Sequence, residues 1–217
     1  SLQETEYNVF DLLDAGRTPN TQLTNFLGFT QNVNAAYTQF GQKINKFSYL
    51  MGLRMEKTHI EIDQRTSNIY KEKDYTDWFP TLNLSLEFSQ KENVTLGYSR
   101  RIRRPRSWSL NPFRSLTSLT FFRQGNPDLD PSYSNLLDLG YLKRWDKFTF
   151  NGSVYYQKAT QVIERITEAT GELVQVSQNP LVELPEFRFT SINLSENIRT
   201  GTEFTLTFTP KRKVRIS

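Results

Sequence analysis

The chain has 217 residues, 36% of them hydrophobic and 13% aromatic, with a net charge of +4 at pH 7. No apolar run reaches the ~18 residues that a membrane helix needs, which excludes a helical membrane protein but not a β-barrel, whose apolar face uses only every second residue. Cysteine is absent and histidine occurs once, so disulfide frameworks, thiolate metal sites and Cys–His catalytic pairs are excluded.

Period-two alternation is the dominant signal along the chain. Thr5–Leu13 reads as a first strand, and Ala15–Asn25 as a loop rich in Gly, Pro, Asn and Thr. Phe29–Phe40 is a clear strand with Val33, Ala35 and Tyr37 on one face. A tight connection at Gly41–Lys46 leads to a return strand that places Phe47, Tyr49, Met51, Leu53 and Met55 on its apolar face and continues through Ile62. A polar loop is predicted over Asp63–Asp77. Leu82, Leu84, Leu86 and Phe88 then alternate with Asn83, Ser85, Glu87 and Ser89. A turn near Lys91 pairs Phe88 with Val94 and Leu86 with Leu96, keeping the apolar residues on one face, as a single register requires. After a long loop, Pro105–Pro131, the strand Ser132–Arg144 meets the strand beginning at Phe148 through a minimal turn that pairs Tyr141 with Phe150. A third long polar loop spans Glu164–Glu186. The last full strand carries Phe204, Leu206 and Phe208, and Pro210–Lys213 turns the chain again.

Short and long connections alternate strictly. The predicted fold is therefore all-β: an antiparallel up-and-down transmembrane β-barrel of about eight long strands, with short periplasmic turns and long extracellular loops. Aromatic residues gather at strand ends in two belts, with Tyr37, Phe47, Phe88, Tyr141, Phe148 and Phe208 near the short turns and Tyr133 and Tyr156 towards the long loops. The Ser1-Leu2-Gln3-Glu4 start lacks the regions of a signal peptide, and Val214–Ser217 stops inside a strand-like run. Both ends predict a partial barrel, one domain over 1–217 cut from a larger protein. A soluble β-rich module binding glycans or another ligand is the competing reading, because soluble antiparallel sheets also alternate. It would bury Leu84, Leu96, Phe150 and Leu206 in a dry centre.

The stretch Tyr98-Ser99-Arg100-Arg101-Ile102-Arg103-Arg104-Pro105, followed by Trp108, Leu110-Asn111-Pro112-Phe113 and Gly125-Asn126-Pro127-Asp128-Leu129-Asp130-Pro131-Ser132-Tyr133, resembles the C-terminal barrel of TonB-dependent outer-membrane receptors of the Bacteroidetes type. The resemblance implies a location in the outer membrane and import of a scarce nutrient such as an iron chelate, vitamin or glycan. It implies contact with outer-membrane lipid and lipopolysaccharide, coupling to TonB through an N-terminal region not found here, and a surface lipoprotein as a further partner. No cofactor, enzymatic activity or nucleic-acid partner is expected.

Strand parity nominates lumen-facing ligand candidates: Arg101, Arg103, Glu87, Asn83 and Tyr155. Arg100 and Arg104 are expected to point outward, towards lipopolysaccharide phosphates. The long central loop nominates Trp108, Asn111, Phe113 and Asp128, since ligand specificity concentrates in loops held by a fixed scaffold. His59, inside a strand-like run, has no acid–base partner legible in the sequence. Asp128 and Asp130, flanked by prolines, suit turn formation more than cation binding.

Overall fold

The computed structural model describes residues 2–7, 10–13, 16–19 and 24–209. Its elements are β1 (Leu2–Tyr7), β2 (Phe10–Leu13), β3 (Gly16–Pro19), β4 (Asn25–Ile44), β5 (Phe47–Gln64), β6 (Ile69–Ser89), β7 (Glu92–Arg103), one helical turn α1 (Ser107–Leu110), β8 (Ser115–Leu116), β9 (Phe121–Arg123), β10 (Ser132–Arg144), β11 (Phe148–Gln178) and β12 (Leu181–Phe208). β2 and β3 form a small hairpin. All other strands join one sheet in the order β1-β4-β5-β6-β7-β10-β11-β12-β9-β8. Every pairing is antiparallel except that of β12 with β9. The strand predicted over Thr5–Leu13 is thus divided between β1 and β2, and the predicted loop Ala15–Asn25 contains β3. The turn at Pro210–Lys213 lies outside the described residues.

The sheet has two chemically distinct faces. One cross-strand row on the apolar face runs Tyr49, Leu84, Leu96, Leu139, Val154 and Thr202. The adjacent row on the opposite face runs Leu50, Asn83, Gly97, Asp138, Tyr155 and Gly201. On the apolar face Val154 is 53% exposed, Leu206 60% and Phe204 78%. None of Leu84, Leu96, Phe150 and Leu206 is buried, so among the described residues no second layer packs on this face and the dry centre of a soluble sandwich is not found. The apolar stretch runs from Phe47 to Met55 on β5 and from Trp78 to Leu86 on β6, matching the ~9–11 residues with which a tilted strand crosses hydrocarbon. Phe47, Phe88, Phe148 and Phe208 crowd its short-turn edge, where Phe148 and Phe208 rings lie 4.9 Å apart.

The strands continue well past that band, which corrects two of the three predicted long loops. Asp63–Asp77 is not a loop: β5 and β6 stay paired to Gln64↔Ile69 around a short turn. Glu164–Glu186 is likewise the end of a hairpin, with β11 and β12 paired out to Gln178↔Leu181. Beyond the band the outer face meets water instead of hydrocarbon, so the apolar alternation fades there while pairing persists. Of the three, only the segment between β7 and β10 is a long loop. Pro80 marks the place where it becomes possible: the β6–β7 ladder begins at Thr81↔Ser99, so the missing N–H of Pro80 falls where β6 loses that neighbour.

Three further expectations shift. Ile44 pairs with Phe47 across the Asn45–Lys46 turn, so Tyr37 stands opposite Arg54 on the polar face. Phe40 and Ile44 supply the apolar face of β4 instead. Leu86 pairs with Val94 and Tyr141 with Gly152, each two residues from the predicted partner. A slip of two preserves the face of every side chain, whereas the slip of one at Tyr37 reverses it.

The buried core lies at the long-loop end, on the polar side of the sheet. Leu27 and Phe29 of β4, Ile60 and Ile62 of β5, and Leu110 and Leu129 of the central loop form it, with Ile163 of β11 packed against them. Asp130 touches Lys73 of β6 and Asn193 of β12, strands four places apart in the sheet. In a flat sheet those strands would be about 19 Å apart, at ~4.8 Å per step. The sheet therefore curls around the loop.

Candidate functional site

The segment from Arg104 to Pro131 folds back over the polar face and is tied to strands on both sides. Gly125 N–H donates to the Asn111 carbonyl at 2.7 Å and Asn126 N–H to the Ser109 carbonyl at 2.8 Å. A Cβ on Gly125 would lie 2.6 Å from the Asn111 oxygen and 2.7 Å from the Ser109 oxygen, so only glycine permits this approach. Asn126 Oδ1 accepts from Asp128 N–H at 2.9 Å, an Asx turn that sets the bend before Leu129. Leu129 is 1% exposed. Lys73 Nζ donates to the carbonyls of Asp128 and Leu129, each at 2.8 Å. Lys71 pairs with the Asp128 carboxylate. Asn193 of β12 donates to the Asp130 carbonyl and accepts from its N–H, both at 2.9 Å. The proline-punctuated motif is thus a clasp between the β5–β6 and β11–β12 hairpins.

A charged network lies under the clasp. Glu56, buried on β5, accepts from Arg54 Nε at 2.6 Å and from Arg104. Arg104 also reaches Thr58 Oγ1 at 3.1 Å and the Tyr75 hydroxyl at 3.2 Å. Burial pushes the Tyr75 phenol up, against the opposing pull of Arg104. β7 ends at Arg103, and with strand parity released Arg104 turns inward. That corrects its expected outward position: its carboxylate partner is Glu56, not a lipid phosphate. Arg100 stacks on the Tyr133 ring at 5.0 Å. On the outer face beyond the band, His59 bridges Glu61 and Asp74, each at 3.0 Å. These contacts raise its pKa above the ordinary imidazole value.

The nominated residues fall into separate places. Asn83 and Tyr155 share one cross-strand row on the polar wall, and the Tyr155 ring covers Gly201. Glu87 sits near the short turns and is paired with Lys43 at 2.7 Å. Arg101 and Arg103 pair with Ser134 and Ser132 on β10 and are exposed. Asn111 and Asp128 belong to the clasp, with Asn111 Oδ1 accepting from Phe113 N–H at 3.1 Å. Trp108 stands apart from these contacts and lines a cavity of about 600 Å³ between the loop and the β11–β12 hairpin. Its ring is flanked by Arg165 at 4.6 Å and Arg123 at 5.5 Å. The sequence reading did not nominate Lys73, Asn193, Arg123 or Arg165. Lys73, Arg123 and Arg165 lie in stretches read as loops, and Asn193 lies in the strand expected after the third of them, so no local pattern singled any of them out.

Comparison with known proteins fits this geometry. The model of the outer membrane protein beta-barrel family matches residues 3–217. Among curated proteins, none matches the chain. Among solved structures, a copper transporter, OprC, is similar with a TM-score of 0.63 at 13% identity, covering 97% of this chain and 31% of that one. The Serratia marcescens hemophore receptor HasR, solved with its hemophore and heme, gives 0.62 at 13% identity, covering 89% and 34%. The siderophore receptor PirA of Pseudomonas aeruginosa gives 0.55 at 14% identity, covering 88% and 41%. The chain thus spans about a third of the length of these proteins, and at such identities the likeness is one of fold.

Proposed function

The chain belongs to the outer membrane protein beta-barrel family, and from that premise we propose that it is the C-terminal barrel portion of a TonB-dependent receptor that imports a small nutrient. It is an outer-membrane protein, and its exposed apolar face meets lipid. By the rule for such barrels the short turns face the periplasm and the long hairpins and clasp face outward. The observation that carries the receptor reading is the clasp: a long loop pinned across the polar wall that leaves a cavity at the outward end.

In this reading the nutrient is met first at the Trp108 cavity and then passes along the polar wall of Asn83, Tyr155 and Arg101. That the similar proteins are a siderophore receptor, a hemophore receptor and a copper transporter supports a scarce nutrient as cargo. TonB would supply the energy through the part of the receptor beyond this chain, and lipopolysaccharide and a surface lipoprotein would be its neighbours. The test is depletion of small molecules from the medium by cells carrying the full-length receptor, cells lacking it, and cells lacking TonB. One compound should be depleted only when both are present. Equal depletion in all three strains refutes the proposal.

A further inference from the structure

The geometry points to an anion site at the Trp108 cavity, built for an organic polyanion with two or more carboxylate or phosphate groups. The inference rests on the receptor reading and narrows its cargo. The ~600 Å³ cavity is bounded by Arg123 from the loop and Arg165 from β11, with Ser115, Thr117, Thr167 and Thr190 among its walls. A second cavity of about 260 Å³ shares Trp108, Ser109, Arg165 and Ser191 with the first and adds Arg103 and Arg106. Neither wall contains an aspartate or glutamate among the described residues.

Some arginines elsewhere are already committed to carboxylates. Arg54 and Arg104 have Glu56, Arg114 has Glu186 and Arg188 has Glu168. Arg103, Arg106, Arg123 and Arg165 have no carboxylate within ion-pair distance among the described residues, a state they share with Arg100, Arg101, Arg144 and Arg199; the first four are the ones gathered around the two adjoining cavities. The Trp108 ring holds Arg123 and Arg165 in place by cation–π contact. That leaves their planar donor forks for carboxylate or phosphate, which they bind in pairs of parallel hydrogen bonds. Since Arg123 and Arg165 come from different elements, one anionic group is accommodated by each, and the surrounding hydroxyls suit the ligand's remaining polar atoms. A cavity of this size holds a small organic molecule.

The test uses the full-length receptor in detergent, titrated by calorimetry with citrate and, separately, with inorganic pyrophosphate. Glucose and spermidine serve as neutral and cationic controls. At least one of the two anions should bind with a Kd below about 1 mM, and the controls should not. Arg123→Gln and Arg165→Gln should each weaken binding about tenfold or more, while Lys91→Gln at a periplasmic turn leaves it unchanged. If a Gln variant fails to fold, Arg123→Lys or Arg165→Lys keeps the charge, loses the fork and should still weaken binding several-fold. No saturable binding of either anion, or binding unchanged in the arginine variants, overturns the inference. TonB-dependent depletion of a neutral or cationic nutrient would sink this inference alone. Anion binding without any TonB-dependent uptake would sink the receptor reading alone.

Discussion

Replacing Gly125 with alanine should spring the clasp without breaking the barrel. The added Cβ would meet three backbone atoms, the Asn111 and Ser109 oxygens at 2.6 and 2.7 Å and the Asn111 nitrogen at 2.8 Å. Backbone on both sides leaves no flexible side chain to give way, so the loop must move. Movement breaks two backbone hydrogen bonds, Gly125 to Asn111 and Asn126 to Ser109, at about 0.5–1.5 kcal/mol each. Displacing Leu129 from its buried seat adds a loss of similar size. The total is roughly 2–4 kcal/mol of local stability. Amide exchange at positions 125 and 126 should therefore quicken at least ~30-fold, while the β5–β6 and β10–β11 amides keep their protection. Gly171→Ala is the contrasting control. It has φ +84° and nothing within 4 Å, so its cost is a left-handed backbone penalty of about 1–2 kcal/mol, confined to the β11–β12 hairpin. If Gly125→Ala exchanges at the wild-type rate, the clasp is not held as described.

Three other outcomes are expected. Val154→Arg should destabilise the refolded barrel by about 2–4 kcal/mol and Ser153→Arg by far less, as read from urea unfolding in lipid vesicles. In water a half-exposed valine would tolerate arginine within ~0.5 kcal/mol, so equal, small effects would contradict a lipid-facing Val154. Arg104→Met leaves the buried Glu56 carboxylate with Arg54 as its one cationic partner and should cost roughly 1–3 kcal/mol, and adding Glu56→Gln should recover part of it; strictly additive losses would refute the pair. His59 should titrate above its ordinary ~6.5, because Glu61 first and Asp74 next favour the imidazolium. Its stabilising contribution is full below the unfolded pKa and is lost as the pH rises through the folded one. Ring NMR of the histidine should show the raised midpoint, lowered by Asp74→Asn; a midpoint at or below 6.5 would refute it.

Face assignment was legible where one face meets apolar surroundings and the other water. β6, β7, β10, β11 and β12 show it, since Leu84, Leu96, Leu139 and Val154 alternate with Asn83, Gly97, Asp138 and Tyr155. In β4 the pattern is ambiguous: Val33 and Tyr37 compete with Phe40 and Ile44, and only the Ile44↔Phe47 turn pairing decides. Past the membrane band that signal vanishes, which is why paired strands over Asp63–Asp77 and Glu164–Glu186 resembled loops. The clasp motif stood out through its prolines and glycine. Its partners did not, because Lys73, Asn193 and Arg165 arrive from strands distant in sequence, and nothing in the local pattern of any of them names its contact.

The central claim is that alternate side chains between the turns touch lipid while their neighbours stay wet. The chain has no cysteine, so spin labels can be placed singly along it in the full-length receptor reconstituted in vesicles, with any cysteine elsewhere in that protein replaced. Labels replacing Leu84, Leu96, Val154 and Leu206 should collide with oxygen, which partitions into lipid. Labels replacing Ser85, Thr95, Ser153 and Thr205 should collide with a water-soluble nickel reagent. Loss of that two-residue period, with the first set shielded from both reagents, would contradict the account.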